Sequence, residues 1–353
     1  MSEKFSLSSS NEHYNQPTPQ GSMLQCLLDA VGAVPNVWYA DTFSLPNFGN
    51  LKKYYSGSTV ILYCWWDPAD DRIKNLLDDM DINFIIITSD PELSAKHNKI
   101  KTVPWKYQYG FHFNLIKNTA PAVHCDTGTF LCMMRNHKPE RLLFLEQLWE
   151  SGLLESNLVS YLGEVNTRAI HGRTPRPMQE IVAELYQADT NFTYQPSDKF
   201  AEWLVSTMPV VLQGDETRTH GNNTDFFTCG NPNWYANTQY SIVLETYWTN
   251  TEFLTEKTFK PIVAKHPFVN LGNNSNKLLE SLGFDVFPEV FGCDFYDGLQ
   301  APLKTQAVIP KLTSVDIDPV RCELNYQCGM DLLNQARNEQ KYLADQAINL
   351  LQY

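Results

Sequence analysis

The sequence predicts an α/β protein with two domains, each built around a parallel β-sheet. Its 353 residues are 43% hydrophobic, which is enough to bury two cores. Continuous apolar runs rich in β-forming residues at 59–66 and 82–88 flank a segment at 67–81 whose apolar residues have helical spacing. Apolar strands in such a β-α-β unit are buried on both faces, so they indicate a parallel sheet.

A second β-α-β series starts near residue 128 and defines the other domain. The spacing of apolar residues predicts strands at 128–134, 158–162, 240–246 and 267–272, and helices at 141–154, 256–265 and 275–284. Pro261 limits the middle helix, because proline is harmless only in a first turn. The regular part of that helix therefore starts either at Glu256 or nearer Thr258, after an irregular entry.

The predicted order along the chain is a flexible tail, two domains and a terminal helix. Residues 1–22 are polar and rich in Ser, Asn, Gln and Pro, which is typical of a flexible tail. We assign residues 23–125 to an N-terminal domain, residues 126–323 to a C-terminal domain and residues 324–353 to a C-terminal helix. The two domains are expected to face a cleft, and open α/β sheets bind ligands outside the carboxyl ends of their strands.

Charge and cysteine usage narrow the classes of function. The formal net charge of −13 counts against broad, phosphate-driven affinity for nucleic acid, although it is compatible with a local basic groove. The eight cysteines form no C-x-x-C pair, which argues against a zinc module or a disulfide framework. The sequence contains neither an apolar run of membrane-spanning length nor a signal-peptide core. We therefore expect a cytoplasmic protein without a membrane span, in the host cytoplasm if the source is viral.

Thr255, Glu256 and Lys257 form a charged knot between two apolar runs. Thr255 is a typical N-cap, and Glu256 suits the positive end of the helix dipole. Lys257 opposes that dipole unless an anion such as phosphate is bound at the helix start by the lysine and the N–H groups together. The alternative is a surface lysine that pairs with Glu252 or Glu256.

Charged side chains also follow the carboxyl ends of two predicted strands in this domain. They are Arg135, Lys138 and Arg141 after the strand at 128–134, and Glu245, Thr246 and the charged knot at and after the end of the strand at 240–246. Together they predict a site where cations and a helix start hold a diphosphate, while Glu256 accepts hydrogen bonds from ribose hydroxyls. The alternative is that Arg141 pairs with Glu140 or Glu146 on its own helix.

Three segments resemble the donor domain of one group of enzymes. "SIVLETYWTNTEFLTEKTFKPIVAKHPFVNLG" (241–272) and "LLESLGFDVFPEVF" (278–291) resemble the donor-site segment of GT-B glycosyltransferases found widely in bacteriophage genomes. They are more distantly similar to the T-E-K motif of the α1,3-fucosyltransferases. "FLCMMRNHKPERLLFLEQLWESGLLESNLVSYLG" (130–163) resembles the strand, arginine loop and helix that open the donor domain in the same group. The resemblance covers roughly residues 128–300, and it implies a GT-B-like pair of Rossmann-like domains.

The resemblance also implies roles for individual residues. Glu256 is expected to hold the donor ribose, Lys257 together with Arg135 or Arg141 to hold its phosphates, and Glu245 and Thr246 to line the sugar or nucleotide pocket. The sequence "RNHKPER" at 135–141 departs from the arginine-rich loop of the group, which is closer to N-R-x-x-R-x-H-R. The residues therefore leave open which arginine contacts phosphate.

Catalysis by sugar transfer needs a carboxylate if the reaction inverts at the sugar carbon, because the acceptor hydroxyl must lose its proton. Asp67 and Asp90 closely follow predicted strands of the N-terminal domain and are the candidate bases. The alternative for Asp67 is that it caps the helix that begins at Pro68. The D-x-D triplets at 79–81 and 316–318 are interpreted as surface acids, so we expect no metal ion at the site.

The resemblance therefore predicts a metal-independent glycosyltransferase whose co-substrate is a nucleotide sugar, such as a UDP- or GDP-sugar. The resemblance implies one of two acceptor classes, because phage members of the group act on hydroxymethylated pyrimidines in DNA or on glycans. The acceptor is accordingly either modified DNA or a surface glycan. The alternative from another class is a non-catalytic scaffold that binds a nucleotide or a carbohydrate.

Overall fold

The structure is a computed structural model in which α-helices and two parallel sheets alternate, as an α/β sequence predicts. It describes residues 37–41, 57, 59–63, 82–88, 100–116, 129–134, 138–161, 194–208, 210, 212, 229–245, 252–312 and 315–351. The chain forms two compact units. The first unit comprises residues 1–112 and 330–353, and the second comprises residues 113–329.

The first unit contains a four-stranded sheet in which all neighbouring strands are parallel. Its strands are β1 (Val37–Asp41), β2 (Thr59–Tyr63), β3 (Asn83–Thr88) and β4 (Ile100–Pro104), in the spatial order β1-β2-β3-β4. The apolar runs predicted to be buried strands are β2 and β3, and β3 is buried from Phe84 to Thr88. Strand β4 was not predicted, because Ile100 and Val103 are buried while Lys101 and Pro104 are exposed, a pattern without a continuous apolar run.

The helix α1 (Tyr109–Ile116) follows β4 and packs in the first unit against the last part of a much longer helix, α11 (Pro319–Leu351). The backbone N–H of Tyr107 donates to the carboxylate of Glu339 on α11 at 3.2 Å. Gly110 lies against the α11 backbone, so closely that a Cβ at this position would lie 2.6 Å from the carbonyl oxygen of Leu332. At Gly110 the two helices therefore approach closely enough for their backbones to be in contact.

The second unit contains the other four-stranded parallel sheet and most of the helices. Its strands are β5 (Phe130–Met134), β6 (Leu158–Tyr161), β7 (Tyr240–Val243) and β8 (Phe268–Asn270), in the order β6-β5-β7-β8. Its helices are α2 (Pro139–Glu150), α3 (Leu153–Ser156), α4 (Asp198–Thr207), α5 (Pro232–Ala236), α6 (Glu256–Val263), α7 (Ser275–Ser281), α8 (Pro288–Phe291), α9 (Cys293–Tyr296) and α10 (Ala301–Val308). Within the described ranges, no helix combines the length and the apolar character that crossing a membrane requires.

Apolar side chains cover the sheet of the second unit. Helix α2 buries the side of its surface that carries Leu142, Leu145 and Leu148, and α10 packs against this helix. Burial of a leucine side chain stabilises a fold by about 1.5–3 kcal/mol. The helical spacing recognised in the sequence thus places α2 on the sheet and directs its N-terminus to the carboxyl end of β5.

Helix α6 begins at Glu256, so the alternative start near Thr258 is wrong. The Thr255 side chain accepts a hydrogen bond from the Lys257 N–H, as an N-cap does, and Pro261 lies inside the helix. Proline in a helix interior removes one backbone hydrogen bond and costs about 3 kcal/mol. The first turn of α6 must therefore be stabilised by contacts outside the helix.

Replacing Gly110 with alanine is expected to destabilise the first unit. The added Cβ meets the backbone of Leu332 and Leu333 at 2.6 and 2.8 Å, and backbone cannot move aside as a flexible side chain does. We expect Gly110→Ala to lower the free energy of unfolding by about 1–3 kcal/mol, measured by thermal or urea unfolding. Gln335→Ala, on the exposed side of α11, is the control and should have little effect. A stabilised Gly110→Ala variant, as helix propensity alone predicts, would contradict the close contact.

Candidate functional site

The candidate site lies where the strand connections of the second sheet reverse direction. From β5 the chain passes to β6 on one side of the sheet, and it then returns to place β7 on the other side of β5. Strands β5 and β7 are parallel neighbours, so their carboxyl ends lie at the same edge. Such a switch point leaves a crevice between the helices that follow the two strands, and open α/β sheets bind ligands there.

Arg141 joins these two strand ends. It lies in the first turn of α2, after β5, and its Nη2 donates to the carbonyl oxygens of Leu244 and Glu245, which follow β7, at 3.3 and 3.4 Å. Its side chain is buried. Burial lowers the pKa of the guanidinium, while Tyr161, Glu245, Glu140 and Glu256 oppose that shift. An arginine nevertheless keeps its proton at physiological pH, so the edge of the sheet contains a fixed cation.

The carboxylate of Glu245 is directed at the start of α6. Its Oε1 accepts hydrogen bonds from the Thr255 N–H at 2.9 Å and from the Thr258 hydroxyl, and its Oε2 accepts one from the Thr255 hydroxyl at 2.7 Å. Glu245 is fully buried. The sequence predicted that Glu245 lines a ligand pocket, and the structure gives its carboxylate three hydrogen-bond donors from the protein.

Lys257 lies over the first turn of α6. Its Nζ contacts Glu256 Oε1 at 3.1 Å and Thr255 Oγ1 at 3.2 Å, and its side chain remains 25% exposed, whereas that of Glu256 is 5% exposed. The ion pair with Glu256 is the one anticipated if Lys257 were a surface lysine. Glu252, the other anticipated partner, instead accepts a hydrogen bond from Asn274. The partly exposed ammonium group and the start of a helix thus occupy the same place.

Beneath α6, a chain of buried polar side chains connects it to β8. Asn270 is the last residue of β8, and its Nδ2 donates to the Thr258 hydroxyl at 2.7 Å, while its Oδ1 accepts from the Gly272 N–H at 2.8 Å. Gly272 is required by the close approach of the chain, because a Cβ there would lie 1.8 Å from Ser275 Oγ and 3.0 Å from Glu245 Cβ. Thr258, Asn270 and Gly272 were not recognised in the sequence as part of the site.

Lys304 on α10 was also missed, because nothing in the local sequence distinguishes it from a surface lysine. It is fully buried, and its Nζ donates to the carbonyl oxygens of Gly272 at 2.7 Å and Leu271 at 3.4 Å. Burial lowers the pKa of this amine to about 8, and the nearby Asp297 partly opposes the shift. Lys304 thus supports the chain at the carboxyl end of β8, next to the residues that hold α6.

Of the other predicted site residues, one is described by the structure and four are not. Lys138 is the extended N-cap residue of α2, is partly buried, and its carbonyl oxygen accepts from the N–H groups of Arg141 and Leu142. Four residues lie outside the described residues and stay predictions: Asp67, Asp90, Arg135 and Thr246. The structure therefore brings together Arg141, Glu245 and the charged knot 255–257 at one edge.

The described D-x-D triplet is a surface feature. Asp316 and Asp318 are both exposed, and Asp318 accepts a hydrogen bond from the Val320 N–H at the start of α11. Among the residues that the structure describes, no group of three or more His, Cys, Asp or Glu side chains has an arrangement that could hold a metal ion. The triplet at 79–81 lies outside those residues.

Comparison of the chain with protein-family models, with curated proteins and with solved structures found no match. Its function is therefore inferred from the residues at the edge of the second sheet and from the resemblance of the sequence segments around them.

The stability that Lys304 contributes is expected to depend on pH. Its amine titrates near 10.5 when unfolded and near 8 when folded, so between these values the unfolded chain binds more protons. Stability should then rise with pH over this window, by at most about 1.4 kcal/mol per pH unit, and should be lost as pH falls through 8.

Urea unfolding of wild type and Lys304→Met across that pH window tests this expectation. The stability difference should shift in favour of wild type as pH rises, because methionine does not titrate. Lys277→Met, in which an exposed lysine of α7 is changed, should follow the wild-type pH dependence. A constant difference between wild type and Lys304→Met would contradict the lowered pKa.

Proposed function

We propose that this chain is a glycosyltransferase that moves a sugar from a nucleotide-sugar donor to an acceptor hydroxyl. In this proposal the two units are Rossmann-like domains of a GT-B-like enzyme, with the donor bound by the second unit and the acceptor by the first. The observation that carries the proposal is the contact of Arg141, after β5, with the strand-end carbonyl oxygens after β7, next to the start of α6. A cation and a helix N-terminus at a switch point suit a diphosphate.

The proposed role of Lys257 is to bind a donor phosphate together with the first N–H groups of α6. To do so, its ammonium must exchange the Glu256 carboxylate for a phosphate oxygen. An ion pair that is partly exposed contributes only about 0–1 kcal/mol, so little stability opposes the exchange. In this proposal the Glu256 carboxylate then accepts hydrogen bonds from the ribose hydroxyls.

Arg141 is proposed to act on the leaving group through its charge. When the sugar is transferred, the bond between its anomeric carbon and the diphosphate oxygen breaks, and negative charge grows on the diphosphate. The buried guanidinium lies in a region of low dielectric, where a fixed cation stabilises such charge more strongly than it does in water. Arg135, which precedes Arg141 by six positions in the sequence, is proposed as a further phosphate ligand.

The acceptor half of the reaction is proposed to use a carboxylate of the first unit. In an inverting transfer, Asp67 or Asp90 takes the proton of the acceptor hydroxyl while the oxygen attacks the anomeric carbon. The first acceptor to test is a hydroxymethylated pyrimidine in DNA, with a glycan hydroxyl as the alternative. Despite the net charge of −13, an enzyme of this kind needs only a local basic groove and transient binding of the DNA.

Lys257→Ala is expected to weaken the binding of a nucleoside diphosphate. Loss of one charge-assisted phosphate contact should raise the Kd roughly 10- to 100-fold, measured by calorimetry with UDP and GDP. Lys265→Ala is the matched control, because Lys265 follows the opposite end of α6 and pairs with Glu323. Unchanged Kd values in Lys257→Ala would exclude the proposed donor site.

Transfer itself is expected to be visible as a mass increase on an acceptor. The protein should be incubated with a panel of nucleotide sugars and either hydroxymethylcytosine DNA or oligosaccharides, and the products analysed by mass spectrometry. We expect one hexose or related sugar on one acceptor class, and the same yield in the presence of EDTA, because protein cations are proposed to neutralise the diphosphate.

The controls for the transfer assay are unmodified cytosine DNA and the Lys257→Ala variant, both of which should give little product. Loss of activity in EDTA, with recovery on adding a divalent cation, would contradict metal independence. Binding of the donor without transfer to any acceptor would favour the non-catalytic scaffold.

A further inference from the structure

We propose that Glu245, Thr258 and Asn270 form a positioning relay that sets the affinity of the charged knot 255–257 for a nucleoside diphosphate. The inference rests on the proposed function, and it gives Glu245 an indirect role in place of direct ligand contact. The relay residues are 0% exposed. They come from three places, the residues just after β7, the first turn of α6 and the end of β8, and so connect both strand ends to the start of the helix.

The direction of each hydrogen bond in the relay is fixed by its chemistry. The Nδ2 of Asn270 is a donor, so the Thr258 hydroxyl accepts from it and must donate its own proton onward to Glu245. An ionised carboxylate is acceptor only, and Glu245 receives donors on both of its oxygens. The relay therefore has one consistent arrangement rather than several equivalent ones.

The relay also orients the hydroxyl of Thr255. This hydroxyl donates to Glu245 Oε2 at 2.7 Å, so its lone pairs face Lys257, whose backbone N–H and Nζ contact it at 3.3 and 3.2 Å. Glu245 thus places the N-cap, and the N-cap places both nitrogen donors of Lys257. Since Pro261 removes one internal hydrogen bond of α6, these external contacts define where the helix start lies.

The relay reaches one step further, to the neighbouring helix. The backbone oxygen of Asn270 accepts from Asn276 Nδ2 at 3.0 Å, and the carboxylate of Asp297 accepts from the Lys277 N–H at 3.0 Å and from Asn276. Asn276 and Lys277 lie in the first turn of α7. Asn270 therefore holds the start of α6 against β8, and hydrogen bonds of both its side chain and its backbone fix Asn270 itself.

The test uses Thr258→Val, which keeps the shape of the side chain and removes its hydroxyl. Glu245 then loses a donor and Asn270 loses its acceptor, so the Thr255–Lys257 segment is less well fixed. We expect the Kd for UDP or GDP to rise about tenfold, measured by calorimetry well below the unfolding temperature. Thr258→Ser, which restores the hydroxyl, should recover most of the affinity.

A second variant, Glu245→Gln, tests the relay from its other end. In one orientation the amide NH₂ group faces the Thr255 N–H, which is also a donor. In the other it faces the Thr255 hydroxyl, which must then accept from it and lose a lone pair that Lys257 uses, so the N-cap changes in both cases. A similar loss of affinity is expected. The control is Ser241→Ala in β7, the strand that precedes Glu245; this variant loses a buried hydrogen bond to His266 at 2.9 Å, away from the carboxyl end of the strand.

The outcomes separate this inference from the proposed function. Weaker binding in Thr258→Val and Glu245→Gln, with recovery in Thr258→Ser and wild-type binding in Ser241→Ala, supports the relay. Wild-type affinity in both relay variants overturns the inference and leaves the donor site standing. The same loss in Ser241→Ala as in the relay variants also overturns it, because affinity then follows general stability. If wild type binds none of the nucleoside diphosphates, the proposed donor site and the relay fall together.

Discussion

The second unit depends on the hydrogen bonds that the buried carboxylate of Glu245 accepts. A charged group buried without partners destabilises a fold by about several kcal/mol. Glu245 can therefore be buried only if the protein provides hydrogen-bond donors to its carboxylate. They come from Thr255 and Thr258, which follow Glu245 by 10 and 13 positions in the sequence. The need to provide hydrogen-bond donors to this carboxylate thus fixes where α6 begins. It does so although Pro261, in the middle of the helix, weakens the helix.

Two positively charged side chains of this acidic chain are buried at the ends of parallel strands. Two buried cations, Arg141 and Lys304, donate to the backbone carbonyl oxygens that follow β7 and β8, which are neighbouring strands. Each cation arrives on a helix from elsewhere in the sequence, and each closes the carboxyl end of a parallel strand. The net charge of −13 therefore does not reveal that this edge combines two buried cations with the buried acids Glu245 and Glu256.

The sequence allowed much of the fold to be predicted, because its signals were local. The continuous apolar runs of β2, β3 and β5, the helical spacing of α2 and the N-cap Thr255 all depend on neighbouring residues in the chain. Part of the candidate site was also predictable. Arg141 and the charged knot were recognised because they follow the ends of predicted strands. Thr258, Asn270 and Lys304 were not predicted, since threonine, asparagine and lysine acquire their roles only when segments distant in sequence meet.

Pro261 has a mechanical consequence for α6. In an uninterrupted helix, each turn transmits force to the next through the ladder of backbone hydrogen bonds, and a proline removes one rung. The start of the helix has instead hydrogen bonds to the residues that follow β7 and to the end of β8. A displacement of those strand ends would therefore be transmitted to the N-cap and, through it, to Lys257.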